Sequence, residues 1–212
     1  MPKEYVLFDL DGTLLDTLPL IETSFRHAFE QLKIPWANGA VMKTIGIPLR
    51  DACKQFGGDR WQELFDCYVS YQLTIHDAHV KVFPGTMEAL ADISPLVRGM
   101  AIVTSKRRPV AQRGLSVTGL GRYMQHLVAL EDVEKPKPNP EPVLCGLEKF
   151  NASPEQAIFI GDSCFDIMSG RQAGVVTVAV SWGMAGPEDL RDSKPDFLVD
   201  NWPDLVALIK SI

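Results

Sequence analysis

Three short apolar runs constrain the fold of this chain more than any other feature. They cover residues 5–8, 100–103 and 157–160, and each stops directly before small or polar residues. Short apolar runs bounded by turn residues are typical of strands buried on both faces of a parallel sheet. In such sheets ligands bind beyond the carboxyl ends of the strands. We therefore expect the residues after the three runs to converge on one enzyme site.

Helical and extended patterns alternate from residue 86 onward. Strands are predicted at 127–130, 175–180 and 197–199, in addition to the three apolar runs, and helices near 86–94, 109–117, 140–150, 164–173 and 205–209. Alternation of this kind predicts an α/β fold with a doubly wound parallel sheet.

Residues 16–82 differ from the rest, with helix-period patterns and no clear strand. Two stripes of apolar side chains recur at helical spacing, one at positions 21, 25, 28, 29 and 32 and the other at positions 61, 64, 65, 68 and 75. The pattern predicts a helical cap domain over 16–82, inserted after the first strand and lying over the carboxyl edge of the sheet. The core domain would then comprise 1–15 and 83–212.

The composition excludes some classes of protein. The net charge of −6 argues against a general nucleic-acid or membrane binder, which is usually basic. No apolar run approaches the ~18 residues that span a bilayer. The four cysteines form no CxxC pair, and the first strand starts too near Met1 for a targeting segment. We expect reduced thiols in a cytoplasmic protein, either a monomer or a homodimer.

Aspartates follow the first and the third apolar run. Asp9 and Asp11 are two apart, and strand periodicity would place both side chains on the same side. Two carboxylates 4 Å apart repel by roughly 1–4 kcal/mol in a watery to semi-polar setting. A hard dication such as Mg²⁺ would offset that repulsion. Asp162 and Asp166 add carboxylates from another strand end, so the predicted Mg²⁺ site comprises Asp9, Asp11, Asp162 and Asp166.

The segment 9–17, DLDGTLLDT, resembles the signature of haloacid dehalogenase superfamily phosphatases. The family's other three motifs appear in the family's order, namely Thr104-Ser105, a lysine before a proline-rich turn, and Gly161-Asp162-Ser163 with Asp166. The resemblance covers essentially the whole chain. It implies a Rossmann-like sheet with a helical cap between the first two motifs, similar to the insert at 16–82.

The resemblance also implies catalytic roles. Asp9 would be the nucleophile that becomes an aspartyl-phosphate. Asp11 would be the general acid for the leaving group and then the base for the attacking water. Asp9, Asp162 and the backbone carbonyl of Asp11 would hold Mg²⁺, with Asp166 in support. A chain that carries both Asp9 and Asp11 is typical of a phosphatase or phosphomutase rather than a dehalogenase.

Two lysines compete for the phosphate-binding role in the proline-rich turn. The family pattern is similar to Lys-Pro-x-Pro-x-Pro followed by an apolar residue. If the pattern starts at Lys137, the residue after the last proline is the apolar Val143. If it starts at Lys135, that residue is the charged Glu141. We assign Lys137, although Lys135 remains open. The predicted phosphate-binding residues are Leu10, Thr104, Ser105 and Lys137.

Basic residues suggest where an anionic substrate would bind. Lys106 begins a basic triplet after the second motif, and Arg50 lies in a predicted loop over 46–50. Both are predicted to contact a small phosphorylated anion. The segments 105–108, 113–115 and 83–85, together with His76, Asp77 and Val80, resemble a subgroup of phosphoglycolate-phosphatase-like proteins. Inorganic pyrophosphatases of the PpaX type are the most similar members of that subgroup. Pyrophosphate is the first substrate candidate. Phosphoglycolate hydrolysis, a sugar phosphomutase and a non-catalytic protein that kept the fold remain alternatives.

Overall fold

The computed structural model describes residues 3–212, so the first two positions of the predicted core segment 1–15 lie outside the described residues. Within that range the strands and helices, in chain order, are β1 (Tyr5–Phe8), β2 (Leu15–Asp16), α1 (Leu18–Gln31), α2 (Leu49–Gly57), α3 (Trp61–His79), β3 (Lys81–Val82), α4 (Thr86–Ile93), β4 (Gly99–Val103), α5 (Arg108–Thr118), β5 (His126–Val128), α6 (Glu141–Glu148), β6 (Ala157–Gly161), α7 (Cys164–Ala173), β7 (Val176–Val180), α8 (Pro187–Asp192), β8 (Phe197–Val199) and α9 (Trp202–Ser211).

Six strands form one parallel sheet in the order β5-β4-β1-β6-β7-β8. This is the strand order of a doubly wound fold, in which the direction of winding reverses between β1 and β6. Phe8 at the end of β1 pairs with Ile102 of β4 and Ile160 of β6. The three apolar runs thus end side by side, and the predicted doubly wound α/β sheet is confirmed.

Alternate residues of each central strand face opposite layers of helices. Val6 and Phe8 belong to an apolar cluster that includes residues of α4, α5 and α9. Leu7 belongs to a second cluster, on the other face, with residues of α6 and the end of α7. Strands β4 and β6 are completely buried as a result, and so is β1 after Tyr5. Burial on both faces explains why these strands are continuously apolar in sequence.

The helices of the insert, α1 to α3, pack around an apolar cluster of their own. Phe25 and Phe29 of α1 meet Leu64 and Tyr68 of α3 in this cluster. The strands β2 and β3 pair antiparallel and connect the insert to the sheet, with Asp16 opposite Lys81. The expectation of no strand in 16–82 was therefore wrong at its edges, because two-residue strands are too short to show a period. The division into core and cap stays a prediction.

Three further elements differ from the sequence predictions. Helix α2 begins at Leu49, so Arg50 lies in a helical turn instead of the loop expected over 46–50. Helix α8, which begins at Pro187, was not predicted. Helix α9 begins three residues earlier than expected because Asn201 caps it, with its side chain accepting a hydrogen bond of 2.9 Å from the Asp204 amide.

Among the helices of residues 3–212, none combines the length and the apolar character needed to cross a bilayer. The four cysteines are unpaired thiols in this structure.

Candidate active site

Three aspartates converge at the carboxyl edge of the sheet. Asp9 directly follows β1, Asp162 directly follows β6, and Asp166 lies in the first turn of α7. One carboxylate oxygen of each lies within 4.8 Å of the others. All three residues are buried, with at most 5% of their surface exposed. The structure thus brings together three of the four aspartates that were predicted from the sequence to bind a metal.

The start of α7 fixes the direction of Asp166. Ser163 caps this helix, its amide donating to Asp166 Oδ2 at 3.1 Å and its hydroxyl accepting from the Asp166 amide at 3.3 Å. This reciprocal pattern is a capping box. The other carboxylate oxygen, Oδ1, accepts a hydrogen bond of 2.6 Å from Lys137 Nζ, which also contacts Asp9. A helix cap therefore also positions a carboxylate of the site.

Two glycines and two hydrogen bonds hold Asp162. Its Oδ1 accepts from the Thr13 hydroxyl at 3.1 Å, and its Oδ2 accepts from the Met184 amide at 2.8 Å. A Cβ atom on Gly12 or on Gly183 would collide with the Asp162 carboxylate. Gly12 also has a φ of +86°, in the left-handed region that favours glycine. Both glycines leave the space that this carboxylate occupies.

Lys137 is the buried cation of the site. Its Nζ lies 2.5 Å from Asp9 Oδ1, 2.6 Å from Asp166 Oδ1 and 3.2 Å from the carbonyl oxygen of Val103. The residue is 2% exposed, whereas Lys135 lies in solvent. The structure thus places the lysine chosen from the proline pattern beside Asp9. Burial alone lowers the pKa of Lys137, but Asp166 and Asp9 outweigh it and hold the pKa above its usual value.

The cluster carries more negative than positive charge. One ammonium faces three carboxylates, and burial raises the pKa of Asp9 well above its ordinary value despite the opposing effect of Lys137. Burial, followed by the neighbouring Asp166 charge, raises the pKa of Asp162 to about 7. Clustered oxygen donors with excess negative charge fit a hard divalent cation such as Mg²⁺. The donor set therefore matches the cofactor that the sequence predicts.

Asp11 points to a different set of partners. Its Oδ1 accepts hydrogen bonds of 2.6 Å from Lys106 Nζ and 2.5 Å from the Thr17 hydroxyl. Strand β1 ends at Phe8, so strand alternation does not extend to Asp9 and Asp11. The structure therefore does not group Asp11 with the three clustered aspartates, and the pairing of the Asp9 and Asp11 carboxylates stays a prediction. The Asp11 carboxylate lies outside the acidic cluster, and metal binding through its backbone carbonyl stays a prediction.

The second motif connects the sheet edge to the insert. Thr104 is buried directly after β4, and its hydroxyl accepts a hydrogen bond of 3.1 Å from the Lys106 amide. The Ser105 hydroxyl donates to the Gly46 carbonyl of the insert at 2.7 Å. Gly46 packs so closely on the start of α7 that a Cβ would lie 2.9 Å from the Ser163 hydroxyl. The loop around Gly46 therefore fits between two polar loops of the sheet edge.

A cavity of about 300 Å³ lies between the sheet edge and the insert. Asp9, Asp11 and Thr104 line it on the sheet side, and Tyr68 and Gln72 of α3 line it on the insert side. The Gln72 amide donates to the Tyr68 hydroxyl at 2.7 Å, and both residues are buried. The sequence analysis placed Tyr68 on an apolar helical stripe and did not single out Gln72. A polar residue one helical turn after Tyr68 was the signal that could have identified Gln72.

Three other predicted site residues take different positions. The Leu10 side chain is buried in the apolar core, so only its backbone can serve a phosphate. Arg50 is exposed, and its guanidinium lies 5.1 Å from the ring centre of Trp61. Lys106, predicted to bind substrate, instead donates to Asp11. Arg50 and Lys106 both line the cavity, and their binding roles stay predictions.

This architecture is that of a doubly wound α/β protein whose acidic cluster faces a helical insert. Residues 6–180 match the family model described as haloacid dehalogenase-like hydrolase, and the chain belongs to that family. The family and the enzyme class predicted from the sequence are therefore confirmed: the chain is a hydrolase of the phosphatase kind.

Named relatives and solved structures resemble the chain over nearly its full length. A relative from Caldanaerobacter subterraneus subsp. tengcongensis, provisionally named pyrophosphatase PpaX, is 41% identical over 97% of this chain and 94% of that protein. Pyrophosphatase PpaX from Halalkalibacterium halodurans is 37% identical over 96% of this chain and 95% of that protein. The crystal structure of a predicted phosphoglycolate phosphatase from Haemophilus somnus is 25% identical, with a TM-score of 0.84 and coverage of 97% of both chains.

Proposed function

We propose that the chain is a Mg²⁺-dependent phosphohydrolase with Asp9 as its nucleophile. The observation that carries the proposal is the contact of 2.5 Å between Lys137 Nζ and Asp9 Oδ1 at the switch point of the sheet. Lys137 contacts only Oδ1, so the other carboxylate oxygen, Oδ2, is not bonded to this lysine and would be the one to attack phosphorus. The ammonium group also lies where negative charge would develop on a phosphoryl group. Asp9 also lines the cavity, so a substrate phosphorus atom can reach it.

The reaction would proceed in two displacements. An Asp9 oxygen forms a bond to phosphorus while the bond from phosphorus to the leaving-group oxygen breaks. Water then attacks phosphorus, the aspartyl-phosphate bond breaks, and inorganic phosphate leaves with Asp9 restored. A covalent intermediate splits one difficult displacement into two easier ones. Lys137 and the Thr104 hydroxyl would hold the phosphoryl oxygens during both steps.

Asp9, Asp162 and Asp166 would hold Mg²⁺, with the Asp11 carbonyl as the further ligand implied by the family resemblance. The chemistry that bound Mg²⁺ supplies is neutralisation of the phosphoryl oxygens and of the crowded carboxylates. Lys137 would then share its charge between the carboxylates and the substrate.

Asp11 would move the proton of the leaving group. Its carboxylate lines the cavity, and the hydrogen bonds from Lys106 and Thr17 restrict its orientation. In this role Asp11 protonates the departing oxygen in the first displacement and accepts a proton from water in the second. Asp11 accepts from Lys106 whereas Asp9 accepts from Lys137, and these different partners support different roles for the two residues.

Inorganic pyrophosphate is the first substrate candidate and phosphoglycolate is the second. Relatives at 41% and 37% identity carry the pyrophosphatase PpaX name, whereas the phosphoglycolate phosphatase description belongs to a protein at 25% identity. A sugar phosphomutase is the less favoured alternative, and it would differ by keeping the phosphoryl group on the substrate instead of releasing phosphate.

Phosphate release from pyrophosphate and phosphoglycolate tests the proposal, with Mg²⁺ present and after its removal by a chelator. We expect Mg²⁺-dependent release from one of these substrates. Asp9→Asn should lower kcat by more than roughly 1,000-fold and leave the fold intact. Asp59→Asn, at an exposed aspartate of the insert, is the matched control and should keep full activity. Undiminished turnover by the Asp9 variant would rule out Asp9 as the nucleophile.

A further inference from the structure

The insert gives the cavity an apolar wall. The side chains that form it are half-buried, with the rest of their surface available to the cavity, and they are Ile45, Ile47, Leu49, Phe65, Val69 and Val110. Five of them come from the insert and one from α5. Pyrophosphate and phosphoglycolate are compact ions that offer no apolar surface to such a wall. A small anion of this kind would therefore leave the apolar wall of the cavity without a contact.

The cations around the cavity are already engaged by other groups. Lys106 donates to Asp11, and Arg107 lies 3.7 Å from Glu131, which lines the same cavity. Arg50 lies over the ring of Trp61. Within residues 3–212, each cation that lines the cavity thus has a partner. A second phosphate group on the leaving side would have to displace these contacts, whereas an uncharged group would not.

Two neutral polar side chains complete this surface. Tyr68 and Gln72 line the cavity, joined by their hydrogen bond of 2.7 Å. Ligand cavities for organic molecules are mainly apolar, with a few polar groups, and have volumes of roughly 300–1,000 Å³. The cavity of about 300 Å³ falls at the lower end of this range. Its size and lining match a small organic group that carries at most a neutral polar substituent.

We propose that the chain also hydrolyses phosphate monoesters of apolar alcohols, with the organic group against the apolar wall. The inference rests on the proposed role of Asp9. An Asp9 oxygen bonds to phosphorus, the ester bond from phosphorus to oxygen breaks, and the alcohol leaves with a proton from Asp11. Water then releases inorganic phosphate, and its proton returns to Asp11. The reaction consumes one water and needs no other co-reactant.

Ethyl, butyl and hexyl phosphate, assayed by phosphate release with Mg²⁺, test the inference. Burial of a methylene group in an apolar site corresponds to roughly a two- to fourfold gain in affinity. We expect kcat/KM to rise about two- to fourfold per methylene from ethyl to butyl phosphate and to level off when the cavity is full. Values that stay flat or fall with chain length, while pyrophosphate or phosphoglycolate is hydrolysed, overturn this inference and leave the proposed function intact.

Calorimetry with the corresponding alkylphosphonates gives a readout that does not depend on turnover. Butylphosphonate should bind at least about fourfold more tightly than ethylphosphonate, with a more negative heat-capacity change, the sign of apolar burial. Equal affinities and equal heat-capacity changes would contradict the apolar wall as a binding surface. Absence of phosphate release from every ester and from both small anions would instead remove the proposed function and, with it, this second activity.

Val69→Thr changes the wall with almost no change in shape. Burial of its hydroxyl against an alkyl chain should lower kcat/KM for butyl phosphate about fivefold or more relative to kcat/KM for the small anion. Val117→Thr, at an exposed valine of α5, is the matched control. Equal loss for butyl phosphate and for the small anion would show that Val69 supports the fold rather than an organic group, and would count against the inference.

Discussion

Lys106 donates a hydrogen bond to Asp11, with Nζ 2.6 Å from Oδ1, and so ties the loop after β4 to the loop after β1. The two side chains are only 11% and 15% exposed, which limits screening by solvent. Thr17 donates to the same oxygen, so Asp11 has a fixed orientation beside the cavity. This relationship makes Lys106 a positioning residue for the proton transfer proposed for Asp11.

Lys106→Met should lower kcat/KM roughly ten- to hundredfold for pyrophosphate or an alkyl phosphate, because Asp11 loses its orientation. The loss should be much smaller for 4-nitrophenyl phosphate, whose leaving group needs no proton. A purely structural defect would affect both substrates equally, and that result would contradict the positioning role. Lys135→Met, at an exposed lysine, is the control.

Lys137→Met should destabilise the Mg²⁺-free protein by about 3–5 kcal/mol, because Asp9 and Asp166 lose their buried partner. Urea unfolding measures this change in the free energy of unfolding. Saturating Mg²⁺ should recover part of the loss, since a ligand that binds only the folded state stabilises it. Lys135→Met should stay within about 0.5 kcal/mol of the parent. Similar unfolding midpoints for the two variants would argue against a buried ion pair.

Gly183→Ala should weaken Mg²⁺ binding roughly 10–100-fold, because the added methyl group displaces the Asp162 carboxylate. Gly183 does not have a left-handed backbone, so alanine adds no backbone strain there. Titration calorimetry with Mg²⁺ measures the affinity. Gly121→Ala is the matched control, because its Cβ would meet no atom closer than 3.9 Å. Unchanged Mg²⁺ affinity in the Gly183 variant would exclude Asp162 as a ligand held in this position.

The stability of the Mg²⁺-free protein should fall as the pH rises from about 4 to 7. Burial raises the pKa of Asp162 from 3.8 to about 7, and the pKa of Asp9 is raised as well. These carboxyl groups therefore bind more protons in the folded than in the unfolded chain, and the free energy of unfolding decreases with increasing pH across this window. Urea unfolding at several pH values measures the slope.

Asp162→Asn should flatten that slope, and Asp59→Asn, at an exposed site, should leave it unchanged. Saturating Mg²⁺ should also flatten it, because the cation stabilises the ionised carboxylates. A stability that rises over this pH range in the parent protein would contradict the charge balance described for the cluster.

Asp77→Asn should loosen the connection between the insert and the sheet. Arg113 of α5 bonds Asp77 of α3, with Nε 2.7 Å from Oδ1 and Nη2 3.0 Å from Oδ2. The pair is exposed, so we expect little change in Tm. Hydrogen exchange at the amides of β3 should become several-fold faster, because β3 follows α3 directly. Glu22→Gln, which removes an ion pair within α1, is the control. Equal exchange rates at β3 in the two variants would show that Asp77 does not hold the insert on the sheet.

Features that depend on local burial and on turn chemistry could be predicted from the sequence. Strands buried on both faces must be apolar, so β1, β4 and β6 were recognisable, and so were the aspartates at the ends of β1 and β6. The choice of Lys137 over Lys135 came from the proline spacing of the family, and the structure places Lys137 beside Asp9.

Contacts between distant parts of the chain could not be predicted in the same way. The direction of Asp11 depends on Lys106, which is 95 residues away, and Ser105 bonds Gly46 across 59 residues. The residues of the apolar wall have the same sequence spacing as residues that pack between helices. An amphipathic stripe does not show which of its side chains remain partly exposed to a cavity. The packing of the insert on the sheet edge decides these features.

The short ribbon of β2 and β3 has an evolutionary consequence. The polypeptide leaves the sheet at Asp16 and returns at Lys81, two positions that already face each other across a pair of hydrogen-bonded strands. A tight turn would be enough to rejoin the chain if everything between them were deleted. Under the proposed function, the segment between these positions would surround the leaving group. It could then be replaced as a unit, and substrate preference could change while the residues at the sheet edge stay the same.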